Sequence, residues 1–372
     1  MDSLKDYIQW MGDFPISMTG FRDADALVLC ALSYIDFSPV FSEEMGTCYI
    51  RDCLTMVENE QVKVMTTGGS EGYPELLAAA AASVRFGDLS MTDYLDLSRK
   101  DPPLQFAAVC FHDDAGFSFL AYRGTDNSLA GWKEDFMISF TRTRAQKLAL
   151  AYARDHINGN RHWYMGGHSK GSNLALYAAC LLDRTRWDAV DRLYLLDGPG
   201  LCPQVLDPTL YRRINAKTTQ IVPRFCIIGK LFAPDIKDTR IIQSALSGFL
   251  QHIVISWGID HGKPALTDRH DSASRIAAEA VNDWISSISP PDRAVFVDDL
   301  FEILSAGGAD TLDQIRSNGL EGLEAIFRRL RDSKRMTRKS LSDLQLRVLK
   351  ANMDNLLERL SALRRQKTPG EI

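Results

Sequence analysis

The sequence predicts an α/β fold in which a mostly parallel sheet is flanked by helices and followed by a helical C-terminal extension. Three observations predict it. Short apolar runs alternate with helical stretches between about residues 100 and 285, and a serine bracketed by glycines stands where one run meets a helix. After residues 290–291, both proline, the pattern becomes helical throughout. Strands separated by helices are what a parallel sheet with crossover connections requires.

The elements are predicted from their periodicity and from the turn residues between them. Predicted strands cover residues 106–111, 117–122, 162–165, 192–196, 218–222 and 239–243. Predicted helices cover residues 24–32, 75–85, 144–156, 170–182 and 208–215. We therefore expect a mainly helical region over residues 1–100 packed on the core, a core over 101–289, and a basic helical extension over 290–372.

The composition is that of an ordinary globular chain, with 372 residues, 45% hydrophobic and 24% charged. A formal net charge of −5 gives no overall bias toward nucleic acid, and we expect none as a partner. The N-terminus lacks a basic segment followed by an apolar run, and no stretch approaches ~18 apolar residues, so we expect a cytoplasmic protein. The seven cysteines lack zinc-type spacing and are expected to be buried thiols, with Cys48 and Cys53 as the alternative of a local pair.

The C-terminal extension carries a local basic charge, with 13 Lys and Arg against 5 Asp and Glu over residues 324–367. Apolar residues at alternating spacings of three and four form a short heptad seam: Leu346, Leu349, Met353, Leu356, Leu360 and Leu363. Three interpretations stay open for this helix. It packs on its own domain, it self-associates with a second chain, or its basic face makes peripheral contact with an acidic membrane surface.

The segment Gly167-His168-Ser169-Lys170-Gly171 lies between a predicted strand and a predicted helix. In this position a serine occupies a tight, strained turn that raises its hydroxyl clear of the sheet, and the flanking glycines avoid clashes. The helix that follows presents free amides and a positive dipole end, which suit an oxyanion. The pattern predicts a nucleophile elbow of the α/β-hydrolase type with Ser169 as nucleophile. The alternative is a glycine-bracketed turn without chemistry.

Residues 167–175, Gly-His-Ser-Lys-Gly-Ser-Asn-Leu-Ala, resemble the elbow Gly-His-Ser-Lys-Gly-Gly-Asn-Leu-Ala of a bacterial lipase-like family of unknown function, related to the class 3 lipases. Further similarities follow in the same order over residues 1–265. They lie at residues 6–8 and 25–34, at 122–126 with Trp132 and Asp135 (the Arg-Gly-Thr…Trp…Asp signature), at 197–200, and at 251–257. Two positions depart from the family pattern: Ser172 replaces a glycine, and Ile253 follows His252 where an aspartate is common.

A serine nucleophile needs a histidine base and a carboxylate that orients it, and in this fold they follow the serine in the order acid, then histidine. Three histidines satisfy the order: His252, His261 and His270. The resemblance favours His252, which matches the family's Gln-His pair. Three acids are candidates for the orienting carboxylate: Asp197, which ends a predicted strand, and the later Asp235 and Asp238. We prefer Asp197, although its Asp-Gly-Pro-Gly context is also an ordinary turn sequence.

The oxyanion hole is expected to use the amide of Lys170, the residue after the nucleophile. The resemblance implies Thr125 as the second donor, with a further hydrogen bond from its hydroxyl. The alternative is that residues 123–125 form an ordinary turn at the end of a strand. Trp132 and Asp135 are expected to be structural. Two apolar loops, at residues 225–232 and 246–250, are candidates for an acyl pocket or a lid.

Together these features predict hydrolysis of a small or lipid-like carboxylic ester through an acyl-enzyme on Ser169, with no metal and no organic cofactor. One competing hypothesis is a non-catalytic binding or scaffolding protein on a hydrolase fold that uses the basic C-terminal helix. Another retains the serine chemistry but cleaves a thioester or a peptide.

Overall fold

In the described part of the computed structural model, nine strands form one sheet. The structure describes residues 1–41, 47–66, 70–99, 101–138, 141–203, 205–308, 310–311, 314, 326, 328–334 and 337–343. The strands of this sheet are β1 Thr47–Tyr49, β2 Ser90–Arg99, β3 Leu104–His112, β4 Phe117–Tyr122, β5 His162–His168, β6 Val190–Leu196, β7 Thr218–Pro223, β8 Asp238–Ile242 and β11 Leu266–Thr267. The remaining two described strands, β9 Ile259–Asp260 and β10 Lys263–Pro264, pair with each other in a separate sheet. The helices are α1 Leu4–Met11, α2 Ile16–Thr19, α3 Asp23–Leu32, α4 Leu54–Glu58, α5 Tyr73–Ala82, α6 Val84–Gly87, α7 Leu129–Met137, α8 Arg144–His156, α9 Lys170–Leu181, α10 Arg184–Ala189, α11 Tyr211–Ile214, α12 Ser272–Ser287 and α13 Pro290–Leu304.

The sheet is mixed, with strand order β1-β2-β3-β4-β5-β6-β7-β8-β11. The five strands from β4 to β8 are parallel to one another. The pairings at the two sides, β1 with β2, β2 with β3, β3 with β4, and β8 with β11, are antiparallel. The predicted α/β architecture is thus confirmed, and the parallel strands form its centre.

Helices cover both faces of this sheet. On one face, α3 and α5 pack in a core with the buried side chains Val109, Phe111 and Phe119. On the other, α8 and α9 pack with Cys110, Leu120 and other side chains of the alternate set. Because successive residues of a strand point to opposite faces, β3 and β4 supply both cores and are buried along their length.

The first hundred residues contain more strand than predicted, because β1 and β2 extend the sheet. The alternation of β2 is interrupted between Thr92 and Leu95 by a bulge, at which Asp93 has φ 57°. A bulge shifts the side chains of a strand by one position, and this hides its two-residue period in the sequence. The helical part of this region is held by a buried ion pair in which Arg85 Nε lies 2.7 Å from Asp25 Oδ1.

The helices that follow the sheet pack on α7. In this third core the buried side chains are Leu129, Trp284, Phe296, Val297 and Phe301. The heptad seam at residues 346–363 lies outside the described residues. Among the helices that the structure describes, none is long and apolar enough to cross a membrane.

The carboxyl ends of the parallel strands meet at one edge of the sheet, and the predicted site residues follow those ends. Thr125 comes three residues after β4, Ser169 directly after β5, and Asp197 directly after β6. His252 arrives at the same edge from the segment that follows β8. The edge of an α/β sheet at which parallel strands end is the usual place for a binding site.

Candidate active site

Ser169 occupies the turn between β5 and α9 in a backbone conformation that is rare for a residue with a side chain, with φ 58° and ψ −126°. The close approach of β4 to the first turn of α9 requires a glycine there. A Cβ atom at Gly171 would lie 2.1 Å from the carbonyl oxygen of Tyr122. Ser169 thus lies in a strained turn between a strand and a helix, with a glycine where a side chain would clash, and these are the local features that a nucleophile elbow requires.

Three side chains form a continuous chain of hydrogen bonds at this turn. The Oγ of Ser169 lies 3.0 Å from His252 Nε2, and His252 Nδ1 lies 2.6 Å from Asp197 Oδ2. The Asp197 side chain is 1% exposed, and that of His252 is 18% exposed. Because a carboxylate only accepts, Nδ1 carries the imidazole hydrogen and Nε2 is free to accept the serine proton. The structure therefore brings together the three residues that the sequence favoured.

The alternative acids and histidines lie elsewhere. Asp235 is exposed, and Asp238 makes bonds to Arg240 on its own strand. His261 is exposed and pairs with the adjacent carboxylate, and His270 precedes the N-cap of α12.

His168, the residue before Ser169, is buried between two distant partners. Its Nε2 lies 2.7 Å from the carbonyl oxygen of His252, and its Nδ1 lies 2.8 Å from the hydroxyl of Tyr34. Burial holds the pKa of His168 well below its usual range, so the ring is neutral. A carbonyl oxygen only accepts, so Nε2 donates to His252 and Nδ1 accepts from Tyr34. From its position in the turn beside Ser169, His168 thus holds the backbone of His252.

The two predicted oxyanion donors have unequal surroundings. The amide of Lys170 belongs to the first residue of α9, directly after Ser169, as expected. The hydroxyl of Thr125 instead donates to the carboxylate of Asp135, so its hydrogen is directed there rather than into the cavity. The expected extra bond from this hydroxyl is therefore not available while Asp135 is ionised. Burial raises the pKa of Asp135 to about 6, and the nearby ammonium of Lys170 opposes that rise.

The side chain of Lys170 is buried in a polar cluster beneath the turn. Its Nζ lies 2.7 Å from Glu134 Oε2 and 3.2 Å from Gln105 Oε1. The same Glu134 carboxylate accepts from the backbone amides of Gln105 and Ala145. The cluster ties α7, α8 and β3 to the start of α9, and no sequence pattern identifies it, because its members are far apart in the chain.

A cavity of about 680 Å³ opens beside Ser169 and His252. Most of its wall is apolar, and the other polar or charged residues of the lining are Tyr34, Thr66, Tyr73, Thr125, Asp135, His168, Lys170 and Arg293. Five members of the two predicted apolar loops line it: Ile228, Leu231, Phe232, Phe249 and Leu250. The helices α12 and α13, with the short link between them, supply a further wall that the sequence did not predict: Val281, Trp284, Ile285, Ile288, Phe296 and Val297. A neighbouring hollow of about 890 Å³ shares Phe232 and Arg293 but has neither Ser169 nor His252 in its lining. The smaller cavity is therefore the candidate substrate site.

One group of potential metal ligands lies among the described residues, in β2 and β3. Asp93, Cys110 and His112 place ligand atoms within 4.8 Å of one another. Both ring nitrogens of His112 already contact hydroxyl groups, of Thr92 and of Ser118. Burial raises the pKa of the Cys110 thiol, which keeps it protonated. The group is thus arranged as a hydrogen-bonded cluster.

The seven cysteines are all free and buried, as expected.

Comparison with known proteins gives a family and a likeness to solved structures. A solved structure titled "Crystal structure of M37 lipase" is 14% identical, with a TM-score of 0.35, and the match covers 56% of this chain and 70% of that chain. A search of curated proteins finds no match. The model of the Mbeg1-like family matches residues 80–302. Since that match spans more than half of the sequence, the chain belongs to the Mbeg1-like family, which is lipase-like.

Proposed function

We propose that the protein is a serine hydrolase of the α/β-hydrolase type, related to the class 3 lipases, that cleaves carboxylic esters. The observation that carries the proposal is the hydrogen-bonded chain Ser169–His252–Asp197 at the edge of an apolar cavity. A serine hydroxyl is a weak nucleophile by itself, and an imidazole nitrogen at 3.0 Å is within reach to remove its proton during attack.

The proposed reaction has two halves. Ser169 Oγ attacks the ester carbonyl carbon while His252 Nε2 takes the hydroxyl proton, and Asp197 stabilises the imidazolium that forms. The tetrahedral intermediate expels the alcohol, which takes the proton back from His252, and an acyl-enzyme remains. Water then attacks the acyl-enzyme in the same way, with His252 taking its proton. The proton returns to Ser169 Oγ, the acid is released and the free serine is regenerated.

The negative charge that develops on the carbonyl oxygen needs donors at the turn. We propose the amide of Lys170 and the backbone at Thr125 as these donors. Loss of one such donor typically lowers the rate on the order of 100- to 1,000-fold. The Thr125 hydroxyl is excluded from this role above a pH of about 6, because it donates to the Asp135 carboxylate.

The wall of the cavity supports an apolar acyl group as the part of the substrate that it binds. Burial of one methylene contributes about 0.8 kcal/mol, so several methylenes give substantial binding without any charged contact. Lipid-like esters therefore fit the cavity better than polar ones do. A panel of ester, thioester and peptide substrates, presented to the active protein, separates the ester proposal from the other acyl bonds.

The test of the function compares wild type with Ser169→Ala and Ser172→Ala, of which the second changes a buried serine one turn into α9. Wild type and Ser172→Ala are expected to hydrolyse short p-nitrophenyl esters and to be labelled by a fluorophosphonate. Ser169→Ala is expected to do neither. A folded wild type that neither turns over nor labels would contradict the proposal.

We propose self-association or peripheral membrane contact as roles of the C-terminal extension. The basis is its sequence alone, with a heptad seam and a local excess of Lys and Arg. Light scattering of the full chain and of a chain that ends at residue 324 tests assembly, and sedimentation with anionic vesicles tests membrane contact. If truncation changes neither mass nor vesicle binding, both roles are wrong.

A further inference from the structure

The two oxygens of the Asp197 carboxylate have different partners. Oδ2 faces His252, whereas Oδ1 lies 3.1 Å from the Sγ of Cys226 and 3.1 Å from the amide nitrogen of Gly229. Asp197 itself has φ 40°, a conformation that is uncommon outside glycine. Because its two oxygens have different partners, the donors at Oδ1 contribute to which way the carboxylate faces.

The Cys226 thiol is a donor in this arrangement. Its side chain is buried, and burial together with the Asp197 charge raises the pKa of the thiol, so it keeps its proton at neutral pH. A thiolate at this distance would place two negative charges in contact in a site closed to water. The S–H group therefore donates to Oδ1, beside the N–H of Gly229.

We infer that Cys226 is a positioning residue: its S–H group and the Gly229 amide hold the Asp197 carboxylate in the rotamer that presents Oδ2 to His252. The inference rests on the proposed hydrolase function for its kinetic consequence, but the geometry that it describes is independent of turnover. Cys226 does not touch the reacting atoms and acts through Asp197 alone.

The segment that carries these donors is itself held in place. A Cβ atom at Gly229 would lie 2.6 Å from Asp197 Oδ1, so only glycine allows its amide to come this close. From α12, the side-chain amide of Asn282 bridges the segment. It donates to the carbonyl oxygen of Lys230 at 2.9 Å and accepts from the amide of Phe232 at 3.1 Å. The helix that lines the cavity thus also fixes the donors to Asp197.

The test replaces Cys226 by serine, which keeps a donor of similar size, and by alanine, which removes it. With a short p-nitrophenyl ester, kcat/KM is expected to fall about ten-fold in Cys226→Ala, equivalent to about 1.4 kcal/mol. Cys226→Ser is expected to stay within about two-fold of wild type. Cys180→Ala, at a buried cysteine near the end of α9, is the control for loss of a core sulfur and is expected to leave kcat/KM unchanged.

A second readout does not depend on turnover. The Nδ1–H of His252 bonded to a carboxylate gives a proton NMR resonance far downfield of the amide region, and its absence in His252→Ala assigns it. The resonance is expected in wild type and Cys226→Ser and to weaken or disappear in Cys226→Ala. An inactive wild type would refute the proposed function. The positioning role of Cys226 would then be judged from the resonance alone. An alanine variant with an unchanged resonance, or a folded serine variant as impaired as the alanine variant, overturns the inference.

Discussion

The Nε2 of His168 donates a hydrogen bond to the main-chain carbonyl oxygen of His252, 2.7 Å away. The residue before the proposed nucleophile therefore holds the backbone of the proposed base, and Tyr34 of the N-terminal region holds His168 in turn. A base tied to the elbow in this way keeps its Nε2 facing Ser169 without relying on the Asp197 contact alone.

We expect His168→Ala to lower kcat/KM about ten-fold or more without unfolding the protein. The substitution leaves the partly buried carbonyl oxygen of His252 without its donor, a cost of ~1–3 kcal/mol where water does not replace it, and ~1.4 kcal/mol corresponds to a factor of ten. His168→Gln, whose amide reaches a position near that of Nε2, is expected to recover part of the loss. The exposed His162 provides the control, and His162→Ala is expected to match wild type in the same p-nitrophenyl ester assay.

The choice between carboxylates is tested by Asp197→Asn and Asp235→Asn. An amide at position 197 no longer stabilises the imidazolium and favours the wrong tautomer of His252, so kcat is expected to fall by roughly four orders of magnitude. Asp235 is exposed, and its change to asparagine is expected to have no effect on kcat. Equal activity of Asp197→Asn and wild type would remove Asp197 from the mechanism.

The buried Asp135 predicts a pH dependence of stability. Its pKa is about 6 in the folded protein against 3.8 for a free aspartate, so the folded state binds the proton more tightly. A raised carboxyl pKa contributes stability below pH 3.8 that is lost as the pH rises to about 6. Because Asp135 is already half ionised at its own pKa, the loss over the single unit from pH 5 to 6 is about 1 kcal/mol.

The variant Asp135→Asn lacks this titration. Urea unfolding at pH 5 and pH 7.5 is therefore expected to show that the variant gains stability relative to wild type at the higher pH. The difference between the two proteins at a single pH also contains the lost contacts with Thr125 and Lys170, so only its change with pH is diagnostic. A constant difference at both pH values would mean that Asp135 is ionised throughout.

The cavity wall from α12 predicts selectivity for acyl length. Val281→Trp fills part of the apolar space, and kcat/KM for a dodecanoyl p-nitrophenyl ester is expected to fall at least ten-fold relative to that for the butanoyl ester. Asp283→Trp adds the same side chain on the exposed face of this helix and is expected to leave the ratio unchanged. An unaltered ratio in Val281→Trp would place the acyl group elsewhere.

The local parts of the site were predictable because they depend on short-range geometry. Glycines two positions either side of Ser169, a strand before and a helix after specify the elbow by themselves. Asp197 was preferred but not distinguished from Asp235, because the choice depends on how residues 226–232 fold back over the end of β6. No periodicity reports the path of such a loop.

The long-range parts were not predictable from one sequence. The contact between His168 and His252 joins residues 84 positions apart, and the Tyr34 contact spans 134. Strand β2 was missed because its bulge interrupts the alternation of apolar and polar residues. The cavity wall from α12 and α13 was missed because the sequence of an apolar helix face is similar whether the face packs on a core or lines a cavity.

The groups proposed for bond cleavage follow the ends of strands, whereas much of the surface proposed to hold the acyl chain comes from two helices after the last strand. The information for chemistry and the information for selectivity therefore occupy largely separate stretches of the chain. Exchange of residues 272–304 between relatives would transfer preference for chain length while the reaction stays the same. The exchange has one requirement, an amide side chain at position 282, because that residue also secures the loop beside Asp197.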